Sequence, residues 1–89
     1  MKALIQPQAV ELEEIILAAI LLEADAFDKI SEIITENTFY KEDHRHIYDA
    51  CKKLKRQNLS IDMISVIEQL KKDGNLEKII KDDLTSKNY

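Results

Sequence analysis

The sequence predicts a small all-α domain, an orthogonal or antiparallel bundle of about five helices, and three observations carry that prediction. Apolar residues recur at three- and four-residue steps along most of the chain, the spacing of one stripe on an α-helix. The 89 residues are 45% hydrophobic and 34% charged, with one Gly, one Pro and no Trp, a balance that suits a helical bundle better than a β-sandwich or a disordered tail. Breakers fall between the periodic segments rather than inside them: Pro7 near the start, Asn37-Thr38, and Gly74. A chain of this length builds one core and therefore one domain.

Residues 1–8 read as an extended lead-in, because Pro7 lacks an amide donor and pushes Gln6 away from helical angles. A first helix is predicted from about Ala9 to Glu23. Glu11, Glu13 and Glu14 fall in its first turns, where carboxylates suit the positive end of the helix dipole and are read as surface acids. The second half is almost wholly apolar, which points to enclosure by the domain with some partner contact. Ile16, Ala19 and Ile20 are the candidate contact residues, able to pair with a second copy. Asp25 is placed to cap a short second helix, Ala26 to about Thr35, with Phe27, Ile30, Ile33 and Ile34 inward.

The run from Phe39 to Leu54 is the centre of the chain. His44, Ile47, Tyr48, Cys51 and Leu54 share one helical stripe and should face the core. Lys41, Glu42, Asp43, Arg45, Asp49, Lys52, Lys53 and Arg56 should face water. Arg56 to Ser60 is a turn, and Ser60 or Asp62 is placed to cap a fourth helix ending at Asp73, with Met63, Val66, Ile67 and Leu70 inward. Gly74, the only glycine, fits the left-handed position that stops a helix. A fifth helix from Leu76 to about Leu84 completes a helical domain over 9–84, and 85–89 should fray.

Several function classes are disfavoured on physical grounds. The net charge of −4 opposes strong DNA binding by the chain alone, since that affinity comes largely from Lys and Arg displacing counterions. A P-loop needs two glycines and a dinucleotide fingerprint three, so one glycine supports no nucleotide or other cofactor site of those kinds. His44 and His46, two apart on a helix, diverge by roughly 200° and cannot share a metal ion. His44 and Cys51 lie two turns apart, roughly 10 Å, too far for a nucleophile and its base. His44 is read as a structural ring bonded to a backbone group, and no residue is assigned a catalytic role. The single cysteine suits a reducing compartment, and the longest apolar run, Ile15 to Leu22, falls well short of a membrane span of ~20 residues, so a cytoplasmic location is expected.

Three blocks carry a family resemblance. The first is Pro7-Gln8-Ala9-Val10-Glu11-Leu12-Glu13-Glu14, followed by Leu17 and Ile20-Leu21-Leu22-Glu23; the second is Phe39-Tyr40, His44 and Ile47-Tyr48; the third is Ile61-Asp62 with Leu70, Gly74 and Leu76. In order and spacing, over residues 7 to about 78, they resemble the N-terminal domain of DnaB-type bacterial replicative DNA helicases. Ala18 stands where that family usually has glycine, and Lys78 to Leu84 replaces its usual Gly-Gly turn and further helices.

The resemblance implies that Phe39, Tyr40, His44, Ile47, Tyr48, Leu54 and Leu70 form the structural core of the family motif. It implies a collar or adaptor domain that recruits primase, contacts other helicase subunits and supports hexamer assembly in DNA replication. Such a domain is not itself an enzyme, because ATP hydrolysis belongs to a motor domain. The dimer-forming hairpin, linker and ATPase domain of the family are expected to be missing, leaving a monomer or at most a weak dimer. The alternative readings are a free-standing, phage-borne mimic that modulates a host helicase, and the helicase-binding C-terminal domain of a primase.

Overall fold

A computed structural model describes the backbone of residues 7–23 and 25–86, and the side chains of 10–23, 25–35 and 37–81. Its elements are α1 (Pro7–Leu22), α2 (Ala26–Ser31), a 3-10 turn (Glu36–Thr38), α3 (Glu42–Arg56), α4 (Met63–Lys72) and α5 (Leu76–Ser86). No strand occurs among the described residues, and the all-α class follows. The lead-in residues 1–6 and the tail residues 87–89 lie outside the described residues.

Helix α3 is the element that the others surround: it packs on α4, on α1 and on the 3-10 turn, while α2 leans on α1 and α5 on α4. Its stripe supplies Tyr48, Ala50, Cys51 and Leu54 to a core completed by Leu17 and Ile20 of α1, Phe27 of α2, Phe39, and Val66 and Leu70 of α4. Tyr48 stands at the middle of an aromatic cluster, its ring centroid 5.5 Å from Phe27 and 5.3 Å from Phe39. Offset and tilted pairs of this kind suit the ring quadrupoles. Cys51 is fully buried beneath them and unpaired, and burial pushes its thiol up to about 12. It acts as a small apolar residue rather than a nucleophile.

Two helices stop by the same mechanism. At the end of α4, Gly74 has φ +76, its amide donates to Lys71 O and the Asn75 amide reaches back to Leu70 O. At the end of α3, Asn58 takes φ 59, its amide donates to Lys55 O and the Leu59 amide to Leu54 O. Both are Schellman closures with a left-handed residue after the helix. Asn tolerates that conformation better than most side chains, which is why a glycine is not required. The start of α4 is capped by Asp62, whose Oδ1 accepts from the Ser65 amide at 2.9 Å.

The structure corrects several expectations. Helix α1 begins at Pro7 rather than Ala9, because the first helical position has no intrahelical use for an amide and tolerates proline well. Asp25 makes no side-chain cap bond, since its backbone is already helical rather than extended. Helix α2 ends at Ser31, whose Oγ takes a local bond to Asp28 O, and the Ile33 and Ile34 amides both turn back to Ile30 O. That leaves Ile33 exposed while Phe27 is buried and Ile30 and Ile34 are half-buried. On α4, Val66 and Leu70 point inward with Gln69, but Met63 and Ile67 are exposed. The apolar arc of α4 is wider than the strip that α3 covers. Thr85 continues α5 instead of fraying.

Candidate protein-interaction site

Helix α1 has two unlike faces. Glu13, Leu17 and Ile20 follow at steps of four and three, so they share the face turned to α3, and all three are buried, Glu13 to 7% exposure and Ile20 to 1%. Leu12, Ile15, Ala19 and Leu22 follow at steps of three, four and three on the adjoining face, which is the spacing of a helix–helix seam. Leu12, Ile15 and Leu22 are 57%, 63% and 83% exposed, and Ala19 is half-buried. A second apolar strip lies on α4, where Met63, Ile64 and Ile67 are all exposed. Large apolar side chains grouped on one helix face mark protein contacts more often than isolated ones do.

The inner face is held by a buried polar node. One oxygen of the Glu13 carboxylate accepts from the Tyr40 amide at 2.6 Å, and the other accepts from the Lys41 amide at 3.3 Å and from His44 Nδ1 at 2.7 Å. A carboxylate only accepts, so Nδ1 carries the ring proton. Burial works to raise the Glu13 pKa, but the bonds from Tyr40, His44 and Lys41 outweigh it and hold the carboxyl below its ordinary value. The node thus fixes α1 to the entrance of α3. On the other side of that entrance Arg45 donates through Nε to Phe39 O and through a terminal nitrogen to Tyr40 O, both at 2.9 Å. The chain turns into α3 between two charged clamps.

Placed on this geometry, the residues singled out from the sequence divide. Phe39, Tyr48, Leu54 and Leu70 are core, Ile47 packs against them half-buried, and His44 is buried. Tyr40 is instead 51% exposed, and its backbone amide and carbonyl make the bonds to Glu13 and Arg45. His44 bonds a carboxylate rather than the backbone group expected, and Asp43, assigned to the water face, is buried in the first turn of α3. Ile20 is in the core and is unavailable to a partner, while Ile16 and Ala19 are half-buried. The open seam is rotated from the expected trio to Leu12, Ile15 and Leu22. Glu13 was legible in principle, because it stands in line with Leu17 and Ile20. A carboxylate on the buried stripe of a helix implies a buried partner.

The outer faces of α1 and α4 offer apolar packing surfaces. Among the described residues, no group of three or more His, Cys, Asp or Glu is placed to hold a metal ion, and no helix is long and apolar enough to cross a membrane.

Comparison with known proteins agrees with the helical geometry. The DnaB-like helicase N terminal domain matches over residues 5–86. The chain is 40% identical over 74 residues to the replicative DNA helicase DnaB of Rhodothermus marinus, covering 83% of this chain and 8% of that protein. It is 38% identical to the DnaB of a Nostoc species, covering 82% of this chain and 8% of that protein. It is 37% identical to the DnaB of Buchnera aphidicola subsp. Baizongia pistaciae, covering 82% and 16%. The chain thus corresponds to a small part of each relative. No solved structure matches. With a family match across nearly the whole chain and identities near 40%, this chain belongs to the DnaB-like helicase N-terminal domain family.

Proposed function

We propose that this chain is the collar or adaptor domain of a replicative DNA helicase, a non-catalytic cytoplasmic module that recruits primase and supports assembly of the hexamer. The observation that carries this reading is the 40% identity to a replicative helicase over most of the chain, confined to 8% of that helicase. A segment so small relative to the whole, with a core of aromatic and aliphatic side chains and a buried structural histidine, contributes surface rather than chemistry. The relatives found are helicases, which favours this reading over a primase domain. The seam of Leu12, Ile15 and Leu22 on α1 is the surface offered to other subunits.

The reading is tested by titrating the chain with a purified bacterial primase and, separately, with a full-length DnaB-type helicase, using light scattering after size exclusion. A complex with either is expected, and Ile15→Glu should weaken the helicase complex while leaving the helical circular dichroism unchanged. The chain alone should hydrolyse no ATP and show no affinity for single-stranded DNA by anisotropy at about 150 mM salt. Absence of both complexes, or tight DNA binding by the isolated chain, would overturn the adaptor assignment.

A further inference from the structure

We propose that the outer face of α1 docks a basic amphipathic helix of a partner protein. The apolar centre of that face stands open, with Leu12, Ile15 and Leu22 each more than half exposed. Its rim is acidic and open as well, since Glu11, Glu14 and Glu23 are all exposed. Glu11 stands four residues before Ile15 and Glu23 four after Ala19, so each borders one edge of the seam, and Glu14, three beyond Glu11, extends the first edge. None of the three carboxylates enters an ion pair among the described residues. No Lys or Arg occurs in α1 to neutralise them.

Resting on the adaptor reading, the site is the one offered there to other subunits; its spacing and its rim select the chemistry of the segment it accepts. Leu12 to Leu22 runs ~15 Å along the helix axis at the α-helical rise, about three turns, and side chains at steps of three, four and three match those of a second helix laid alongside. Ala19, with the exposed Ala18 beside it, lets that helix approach closely at the middle of the seam. A helix with leucine-like residues on one face and Lys or Arg on either side of them meets both the apolar centre and the two acidic edges. A second copy of α1 does not: pairing two such seams in either direction sets glutamates against glutamates with no cation between them, and like charges across an interface oppose association. The same carboxylates repel nucleic acid and an anionic lipid surface, which attract Lys and Arg.

The test uses the 89-residue chain and fluorescence anisotropy of a fluorescein-labelled peptide, Leu-Lys-Lys-Leu-Ala-Arg-Lys-Leu-Ala-Arg-Leu-Lys-Lys-Ala-Leu, at about 150 mM salt. Saturable binding is expected, weakened at least about tenfold in the chain carrying Glu11→Lys, Glu14→Lys and Glu23→Lys. Glu32→Lys, Glu68→Lys and Glu77→Lys together change the net charge equally but lie away from α1, and should weaken binding much less. Leu12→Ser with Ile15→Ser should also cost at least about tenfold, whereas Met63→Ser with Ile64→Ser on α4 should leave the affinity unchanged. A peptide of the same composition with its leucines scattered around the helix should bind at least about tenfold more weakly, and one with Glu for every Lys and Arg should not bind. No saturable binding, equal loss in the two charge-reversed chains, native affinity in the Leu12→Ser, Ile15→Ser chain with native circular dichroism, or equal binding of either control peptide would each overturn the proposal. Failure of the peptide with a chain that still forms its helicase complex removes the occupant named here and leaves the adaptor reading standing; peptide binding without either complex does the reverse.

Discussion

The two faces of α1 invert the ordinary hydropathy rule. On the inner face a glutamate is buried as deeply as its leucine neighbour, while on the outer face two leucines and an isoleucine stand in water. The inner carboxylate is tolerable because three donors meet it, from Tyr40, Lys41 and His44, and a buried charge so satisfied also specifies which way the helix faces. The outer side chains have no such constraint and add nothing to the fold of the isolated chain. Burial on this helix therefore tracks partners rather than polarity. Stability and association should divide along the same line, with inner substitutions acting on folding and outer ones on assembly.

The sharpest way to break that comparison is to make the same truncation on each face. Ile20→Ala removes core volume between α1 and α3 and should cost about 2–5 kcal/mol, much of what a domain this small possesses. Leu22→Ala should fall within about 0.5 kcal/mol of the native chain. Urea denaturation followed by far-ultraviolet circular dichroism reads both. Similar midpoints for the two variants would mean that the inner face has been misassigned.

A second contrast concerns the node. Glu13→Ala leaves two backbone amides and the His44 ring without their acceptor in a buried place, and should cost about 3 kcal/mol. Glu13→Gln keeps the shape, and its carbonyl can still serve one amide, so about 1–2 kcal/mol is expected. Glu14→Ala, on the exposed side, should be near neutral. If Glu13→Ala and Glu14→Ala denature alike, the node contributes nothing to the attachment of α1.

The same carboxylate gives a pH dependence with a definite sign. The folded state holds Glu13 below the ordinary 4.5, so the folded form binds its proton less readily than the unfolded form. The stabilisation is complete above about pH 4.5 and is lost as pH falls through the lower folded value. Denaturation midpoints of the native chain should drop through that acid window more steeply than those of Glu13→Gln, and the two curves should converge toward low pH. Parallel curves would place the acid sensitivity elsewhere.

What the sequence disclosed and what it withheld follow from the range of each interaction. The helix count, the stripe of Tyr48, Cys51 and Leu54, the stop at Gly74 and the Asp62 cap rest on neighbours within a turn or two, and they were legible. The pairing of Glu13 with His44 spans 31 residues and was not, because no local rule says which acid meets which histidine. Of the candidate contact trio, Ile20 is buried while Ile16 and Ala19 are half-buried, because periodicity marks the apolar arc of α1 but not which part of it α3 covers. Met63 and Ile67 mislead in the same way on α4. The left-handed Asn58 escaped notice because asparagine, unlike glycine, is common in many other backbone conformations.

The smallest expected effect on folding belongs to Ile15→Glu, and it sharpens the comparison most. Ile15 is exposed and lies near the middle of α1, where glutamate is a good helix former, so stability should change by less than about 0.5 kcal/mol. The same substitution places a carboxylate in the middle of the Leu12, Ile15, Ala19, Leu22 seam, which any apolar partner would have to desolvate without a matching donor. Three exposed side chains make a small contact beside the ~1,200–2,000 Å² of a stable interface, so the native chain alone should be a monomer or a weak dimer by light scattering at micromolar concentration. Ile15→Glu should remove whatever concentration dependence is present. Persistence of self-association in that variant, with an unchanged denaturation midpoint, would move the contact away from α1, and the exposed Met63, Ile64 and Ile67 of α4 would be the next surface to alter.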